Sequence, residues 1–242
     1  MPSKLDTAMI FAAGRGERMR PLTDRCPKPL LEAGGKPLIV WQIERLAAAG
    51  FTTIVINHAW LGAQLEAALG DGARWGVQLR YSPEGEALET AGGIAQARPL
   101  LAGTSPIFVA VSGDVFCEFD YGSLRTRAAA MAELDAPGLH LVMVPNPAFH
   151  PAGDFALDAH GRLSLDAAGD GAEAIRFTFG NIGLYDLRMF ADLPSGTRRA
   201  LTPYYRDTIA AGRASGELYE GIWENVGTPA QLAALDARVR GA

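Results

Sequence analysis

Four short apolar runs, each followed by a segment of different period, restrict the folds open to this chain. Met9–Ala12, TIVIN (53–57), VQLRY (77–81) and IFVAV (107–111) are only four or five residues long. Runs of this kind suit strands covered on both faces, as a parallel sheet requires. Between the first two, Ile39, Ile43 and Leu46 share one helical face, Pro37 suits the helix's first turn, and Gly50 supplies the stop. Leu61, Leu65, Ala68 and Leu69 repeat the helical pattern before the third run. Strand–helix–strand alternation predicts an α/β fold with a Rossmann-like, mixed but mostly parallel central sheet flanked by helices.

The second half is less regular. Gly, Pro, Asp and Ala dominate from Asn146 to Ala174, with strand candidates at FALD and IRF. No internal repeat or low-complexity linker divides the 242 residues. The expectation is a short tail over residues 1–7 and one domain over 8–242. The tail has one lysine and no apolar stretch, so it does not read as a secretory signal. No further C-terminal domain is expected.

Composition excludes several classes of function. A net charge of −5 argues against nucleic-acid binding through a basic surface. No apolar run is long enough to span a membrane. Cys26 and Cys117 have neither metal-site nor disulfide-framework spacing, and they suit a reducing cytoplasm. His140, His150 and His160 lack the carboxylate or cysteine neighbours of a zinc site. His58, beside Asn57, reads as a turn residue, and Glu84 and Glu86 as loop acids.

The first apolar run passes directly into AAGRGERMRPLTDRCPKPL (12–30). In open α/β sheets, ligands gather beyond the carboxyl ends of the strands, and this stretch begins at such an end. Its glycines permit close backbone approach, and successive N–H groups in a turn form an anion-binding concavity. Arg15, Arg18 and Arg20 add guanidinium forks suited to phosphate oxygens, and Lys28 adds a compact charge. A flexible basic loop stiffened by prolines would share this composition. A Walker loop is excluded by the missing Gly-Lys-Ser/Thr ending, and a dinucleotide fingerprint by Met19 in place of its third small residue.

The same stretch closely resembles the signature of sugar-1-phosphate nucleotidyltransferases. SPEGEALETAGGI resembles that family's sugar and base segment, VSGD its metal-aspartate strand end, and WENVGTPAQL its C-terminal motif. The four motifs stand in the family's order. INHAWLG and YSPEGEALET are most similar to the branch that uridylylates N-acetylmuramate 1-phosphate. The resemblance implies a single nucleotidyltransferase domain that joins a nucleoside triphosphate, UTP favoured, to a sugar 1-phosphate. Guanylyl transfer to a mannose- or heptose-type 1-phosphate is the alternative, and a nucleotide-sensing module that has lost transfer is a rival of another class. A monomer or small homo-oligomer is expected.

The resemblance also implies roles for single residues. Ala12, Ala13, Gly14, Gly16, Arg18, Lys28 and Gly113 would surround the nucleotide, with Arg18, Lys28 and Asp114 catalytic. Asp114 and Asn225 would hold Mg²⁺. Asn225 departs from the family's usual aspartate; its amide oxygen can ligate but carries no charge. Glu89, Thr90, Gly153 and Asn181 would contact the sugar phosphate, with Gly92 and Gly93 permitting close approach. A Glu-Lys-Pro segment found in many relatives is absent, and Arg176 is the available substitute. VGTPAQL has a second, purely local reading: Thr228 caps a helix, Pro229 opens it, and Gln231 completes a capping box.

Overall fold

The computed structural model describes residues 5–103, 105–165, 168–169, 172–173 and 175–241. Four strands come from the four apolar runs: β1 (Thr7–Phe11), β2 (Thr53–His58), β3 (Gln78–Pro83) and β4 (Ile107–Ser112). They pair in parallel in the order β3-β2-β1-β4. Along β1 and β4 every residue but the last is buried, which is why these segments read as apolar runs and not as alternation. A short strand β5 (Val115–Cys117) follows β4 directly.

The second half completes the sheet with β6 (Leu139–Val144), β7 (Phe155–Leu157), β8 (Leu163–Ser164), β9 (Ile175–Asp186) and β10 (Ala214–Leu218). The IRF segment is the beginning of β9, a strand of 12 residues. β9 runs antiparallel between β4 and β6, while its first residues pair with β7 instead. β10 adds in parallel to β6, giving nine strands in one sheet. The mixed, mostly parallel sheet expected from the sequence is therefore present, with β9 as its main reversed member.

The described residues form six helices: α1 (Leu38–Ala48), α2 (Gly62–Leu69), α3 (Glu89–Leu101), α4 (Leu124–Ala132), α5 (Thr202–Ala210) and α6 (Pro229–Arg240). Period-two geometry splits the strand side chains between two cores. Ile10, Ile54, Ile56 and Val109 face one, with Ile39 and Ile43 of α1. Met9, Val55, Phe108 and Ala110 face the other, with Ile94 of α3. Gly50 ends α1 in the left-handed region at φ 82°, as the sequence predicts.

Two local expectations are corrected. Thr7 opens β1 and Leu5 is buried in the core, so the fold takes in residues 5–7 of the expected tail; residues 1–4 lie outside the described part. Ala68 is exposed on α2, where only Leu65 and Leu69 of the predicted stripe are buried.

A third, smaller core joins the glycine-rich loop to the chain's end. Met19 is fully buried there among Leu38, Phe116, Val226 and Leu235. The residue that breaks the dinucleotide fingerprint thus anchors the loop to α6. Thr228 caps α6 by accepting a hydrogen bond from the Gln231 N–H at 3.3 Å, and Pro229 is its first residue. The Gln231 side chain reaches back to the Gly227 N–H at 2.8 Å, one residue beyond the N-cap N–H of the usual capping box.

Candidate active site

The carboxyl ends of β1, β2 and β4 open onto a cleft of about 360 Å³. Ala12, Ala13, Gly14, Lys28 and Asp114 all line it, together with Glu89 and Thr90 from the start of α3. A second crevice, continuous through Gly14, Lys28 and Asp114, is completed by Gly16, Arg18 and Gly227. Two segments 86 residues apart in sequence, the loop after β1 and the turn after β4, thus meet over the same space.

Lys28 and Asp114 are in direct contact through Nζ and Oδ2. Lys28 is 9% exposed and sits in a single 3-10 turn, Lys28–Leu30, between Pro27 and Pro29. Proline on both sides narrows the backbone freedom lost when that ammonium is positioned. The other oxygen of Asp114 accepts a hydrogen bond from Ser112 Oγ at 2.5 Å. Ser112, which no sequence motif marks for this role, therefore orients the carboxylate and also lines the cleft.

Of Arg15, Arg18 and Arg20, only Arg18 is free to meet an anion among the described residues. Arg15 stacks on the Trp60 ring, 3.5 Å from its centroid, and donates to the Thr23 carbonyl at 3.2 Å. Trp60 Nε1 donates to that same carbonyl at 2.9 Å, so the pair pins the loop and Arg15 is not a phosphate fork. Arg20 is paired with Asp24 at 2.8 Å. Ala13 and Gly14, by contrast, make no hydrogen bond among the described residues, leaving their N–H groups available to a ligand.

Asn57 and Glu84 are the positioning residues that the sequence did not reveal. Asn57 Oδ1 accepts from the Ala12 N–H at 3.1 Å, and its Nδ2 donates to Glu84 Oε1 at 2.7 Å. The other Glu84 oxygen accepts from the Leu88 N–H at 2.8 Å. One chain of bonds therefore ties the glycine-rich loop to the entry of α3. Burial pushes the Glu84 carboxyl above its usual range, against the opposing pull of those two hydrogen bonds. Gly93 is needed there, since a Cβ would stand 2.6 Å from Glu84 Oε1 and 2.7 Å from Asn57 Nδ2. At Gly92 the close neighbour is likewise protein, the Thr197 carbonyl at 2.3 Å. These glycines admit the chain's own atoms.

The remaining expected residues are distributed as follows. Gly113 lies just beyond β4, but its N–H donates to the Phe11 carbonyl at 2.9 Å and so is committed to the sheet. Glu89, at φ 63°, pairs with Arg198 at 2.9 Å, and Thr90 Oγ1 accepts from the Leu201 N–H at 3.2 Å. His58 is buried and paired with Glu66 at 2.7 Å, with Gly62 packed against its ring. It holds α2 to the sheet.

Asn181 and Asn225 line a larger pocket of about 780 Å³ beside the cleft, which Arg18 also borders. Asn225 lies on β11 (Trp223–Asn225), which pairs with β5 so that Asn225 faces Val115, and the Val226 N–H donates to the Asp114 carbonyl at 3.0 Å. This ladder brings Asn225 next to Asp114. Its amide makes no hydrogen bond among the described residues, whereas adjacent Glu224 points away to Arg238 at 2.9 Å. Asn181 has φ 56° at the bulge where β9 shifts register against β6, held by the bond from Trp223 Nε1 to the Gly180 carbonyl at 2.9 Å. Gly153, at φ 62°, shapes the turn before Asp154, and Asp154 rather than Gly153 borders the pocket. Arg176 does border it, yet its guanidinium is bound to the carbonyls of Ala152, Leu165 and Asp154 at 3.2, 2.7 and 2.6 Å.

A family model described as nucleotidyl transferase matches residues 7–148. An N-acetylmuramate alpha-1-phosphate uridylyltransferase from Neisseria meningitidis is 47% identical over 93% of this chain and 94% of its own. The protein of the same description from Caulobacter vibrioides is 35% identical over 96% of each chain. Among solved structures, a Bacillus anthracis protein described as a glucose-1-phosphate thymidylyltransferase superposes with a TM-score of 0.80 at 19% identity, over 98% of this chain and 96% of that one.

Proposed function

The chain belongs to the nucleotidyl transferase family, and from that premise we propose that it transfers UMP from UTP to N-acetylmuramate 1-phosphate. An oxygen of the sugar phosphate forms a bond to the α-phosphorus of UTP. The bond from that phosphorus to its bridging oxygen breaks, and pyrophosphate leaves with the electron pair. Such a reaction asks for positioning and charge neutralisation and for little covalent help. The contact between Lys28 and Asp114 carries the reading: a cation for the phosphates and a hard oxygen ligand occupy one crevice. In this reading Ala13 and Gly14 present N–H groups to the triphosphate, Lys28 grips it near the reacting phosphorus, and Arg18 neutralises charge at the junction with the larger pocket.

Mg²⁺ fits the donor set. Asp114, in the turn before β5, offers a carboxylate, and Asn225, on the strand paired with β5, an uncommitted amide oxygen, which suits an ion that typically takes one or two protein ligands plus phosphate oxygens. When bound, it supplies positive charge to the phosphates. The larger pocket, with Asn181 at its border, receives the sugar. UTP and sugar phosphates are cytoplasmic metabolites, and the reaction is placed there, carried out by a monomer or a small homo-oligomer.

Pyrophosphate release, measured with four nucleoside triphosphates against a panel of sugar 1-phosphates, tests the reading. UTP with N-acetylmuramate 1-phosphate is expected to give the highest kcat/KM. Release confined to GTP would overturn the uridylyl assignment, and nucleotide binding without release from any pair would make the protein a sensor.

A further inference from the structure

The pocket that receives the sugar holds a cation that the transfer reaction does not use. Arg18, Arg176 and Arg206 all border it, but they differ in what their guanidinium groups are doing. Arg176 is spent on three carbonyls, and Asp154, the acid beside it, accepts from the Phe179 N–H at 2.8 Å and faces His150 at 3.1 Å. Those groups are fully engaged in holding the pocket's own wall. Arg206 has no hydrogen bond, ion pair or ring contact among the described residues. Its place on α5 is nevertheless fixed, because Tyr205, Thr208 and Ile209 are buried and Tyr205 bonds the Tyr185 hydroxyl at 2.8 Å. Helical geometry then sets Arg206 at the pocket border while its neighbour Tyr205 is locked in the core.

Two uncommitted guanidinium groups border this pocket, and one has an assigned anion. Arg18 also lines the phosphate crevice, so the 1-phosphate lies at its end. Arg206 leaves a second position for an anion, away from the phosphates. N-acetylmuramate differs from N-acetylglucosamine by a lactyl ether ending in a carboxylate, and a carboxylate matches the planar fork of an arginine. The aromatic rings of Phe149 and Phe179, which also border the pocket, suit the apolar parts of that substituent.

Resting on the function proposed above, we propose that Arg206 is the specificity-determining residue that recognises the lactyl carboxylate of the sugar. It acts on binding and takes no part in the chemical step. The test is calorimetric binding of UDP-N-acetylmuramate and UDP-N-acetylglucosamine to the wild-type protein, Arg206→Gln and Arg206→Lys. The wild type is expected to prefer the muramate product by about 10- to 100-fold, the worth of one charge-assisted hydrogen-bonded contact. Arg206→Gln should bring that ratio close to one, and Arg206→Lys should restore part of it. In turnover, the loss in Arg206→Gln should appear as a higher KM for N-acetylmuramate 1-phosphate with little change in kcat. A ratio in Arg206→Gln equal to that of the wild type, or a wild type without preference, overturns the assignment. Failure of the parent reading is seen separately, as a wild-type protein that releases no pyrophosphate from UTP with any sugar phosphate.

Discussion

Lys28 pairs directly with Asp114, so the cation proposed for the phosphates and the carboxylate proposed for Mg²⁺ share one place. Lys28→Ala should lower kcat by about 10²- to 10³-fold, the cost of removing one preorganised donor aimed at developing charge. Asp114 would keep its bond from Ser112, so circular dichroism should show a folded variant; near-normal kinetics would remove Lys28 from the mechanism. Asn225→Asp restores an anionic ligand beside Asp114, and the Mg²⁺ concentration for half-maximal rate should fall severalfold. Glu84 makes a pH prediction. Burial raises its carboxyl from the ordinary value of 4.5, so the folded state binds this proton more tightly than the unfolded one. Its contribution to stability is greatest below the ordinary value and declines as pH rises through the raised one. Carbon-13 NMR of the Glu84 carboxyl should give a midpoint above 4.5; a midpoint at or below that value would contradict the burial.

At the scale of elements, the entry of α3 and the loop after β1 behave as one unit, joined through Asn57 and Glu84. Gly93→Ala should break this unit, because its new methyl would overlap Glu84 and Asn57 at 2.6 and 2.7 Å. The expected cost is about 1–3 kcal/mol, as for other overpacked sites, together with a raised KM for UTP, measurable by urea unfolding and initial rates. An unchanged KM would show that the loop holds its place without the α3 connection. The sequence showed two glycines here and suggested room for a ligand; only the fold reveals that the room is taken by the Asn57–Glu84 pair. Arg15 follows the same logic. Its residue type suggested phosphate, but the ring of Trp60, forty-five positions away, claims its guanidinium face.

For the whole molecule, β9 is the strand that unites the halves. It pairs with β4 on one side and β6 on the other, so the first four strands and the later ones share a continuous hydrogen-bonded sheet. Calorimetry should therefore show a single cooperative unfolding transition; two separated transitions would divide the proposed domain. The longest strand was also the hardest to read in advance. Only IRF stood out, because Gly180, Asn181 and Gly183 interrupt the apolar pattern where the bulge forms.

Sequence by itself determined the strand core, the first helix and its glycine stop, the cap of the last helix, and the composition of an anion-binding loop. These depend on neighbours within a turn or a strand, where period and residue type suffice. The tertiary structure alone decided which cations stay free. Arg15, Arg20 and Arg176 are engaged by partners, while Arg18 and Arg206 are left uncommitted. A guanidinium group looks the same in every sequence, and its function is set by whichever acceptors folding brings within reach.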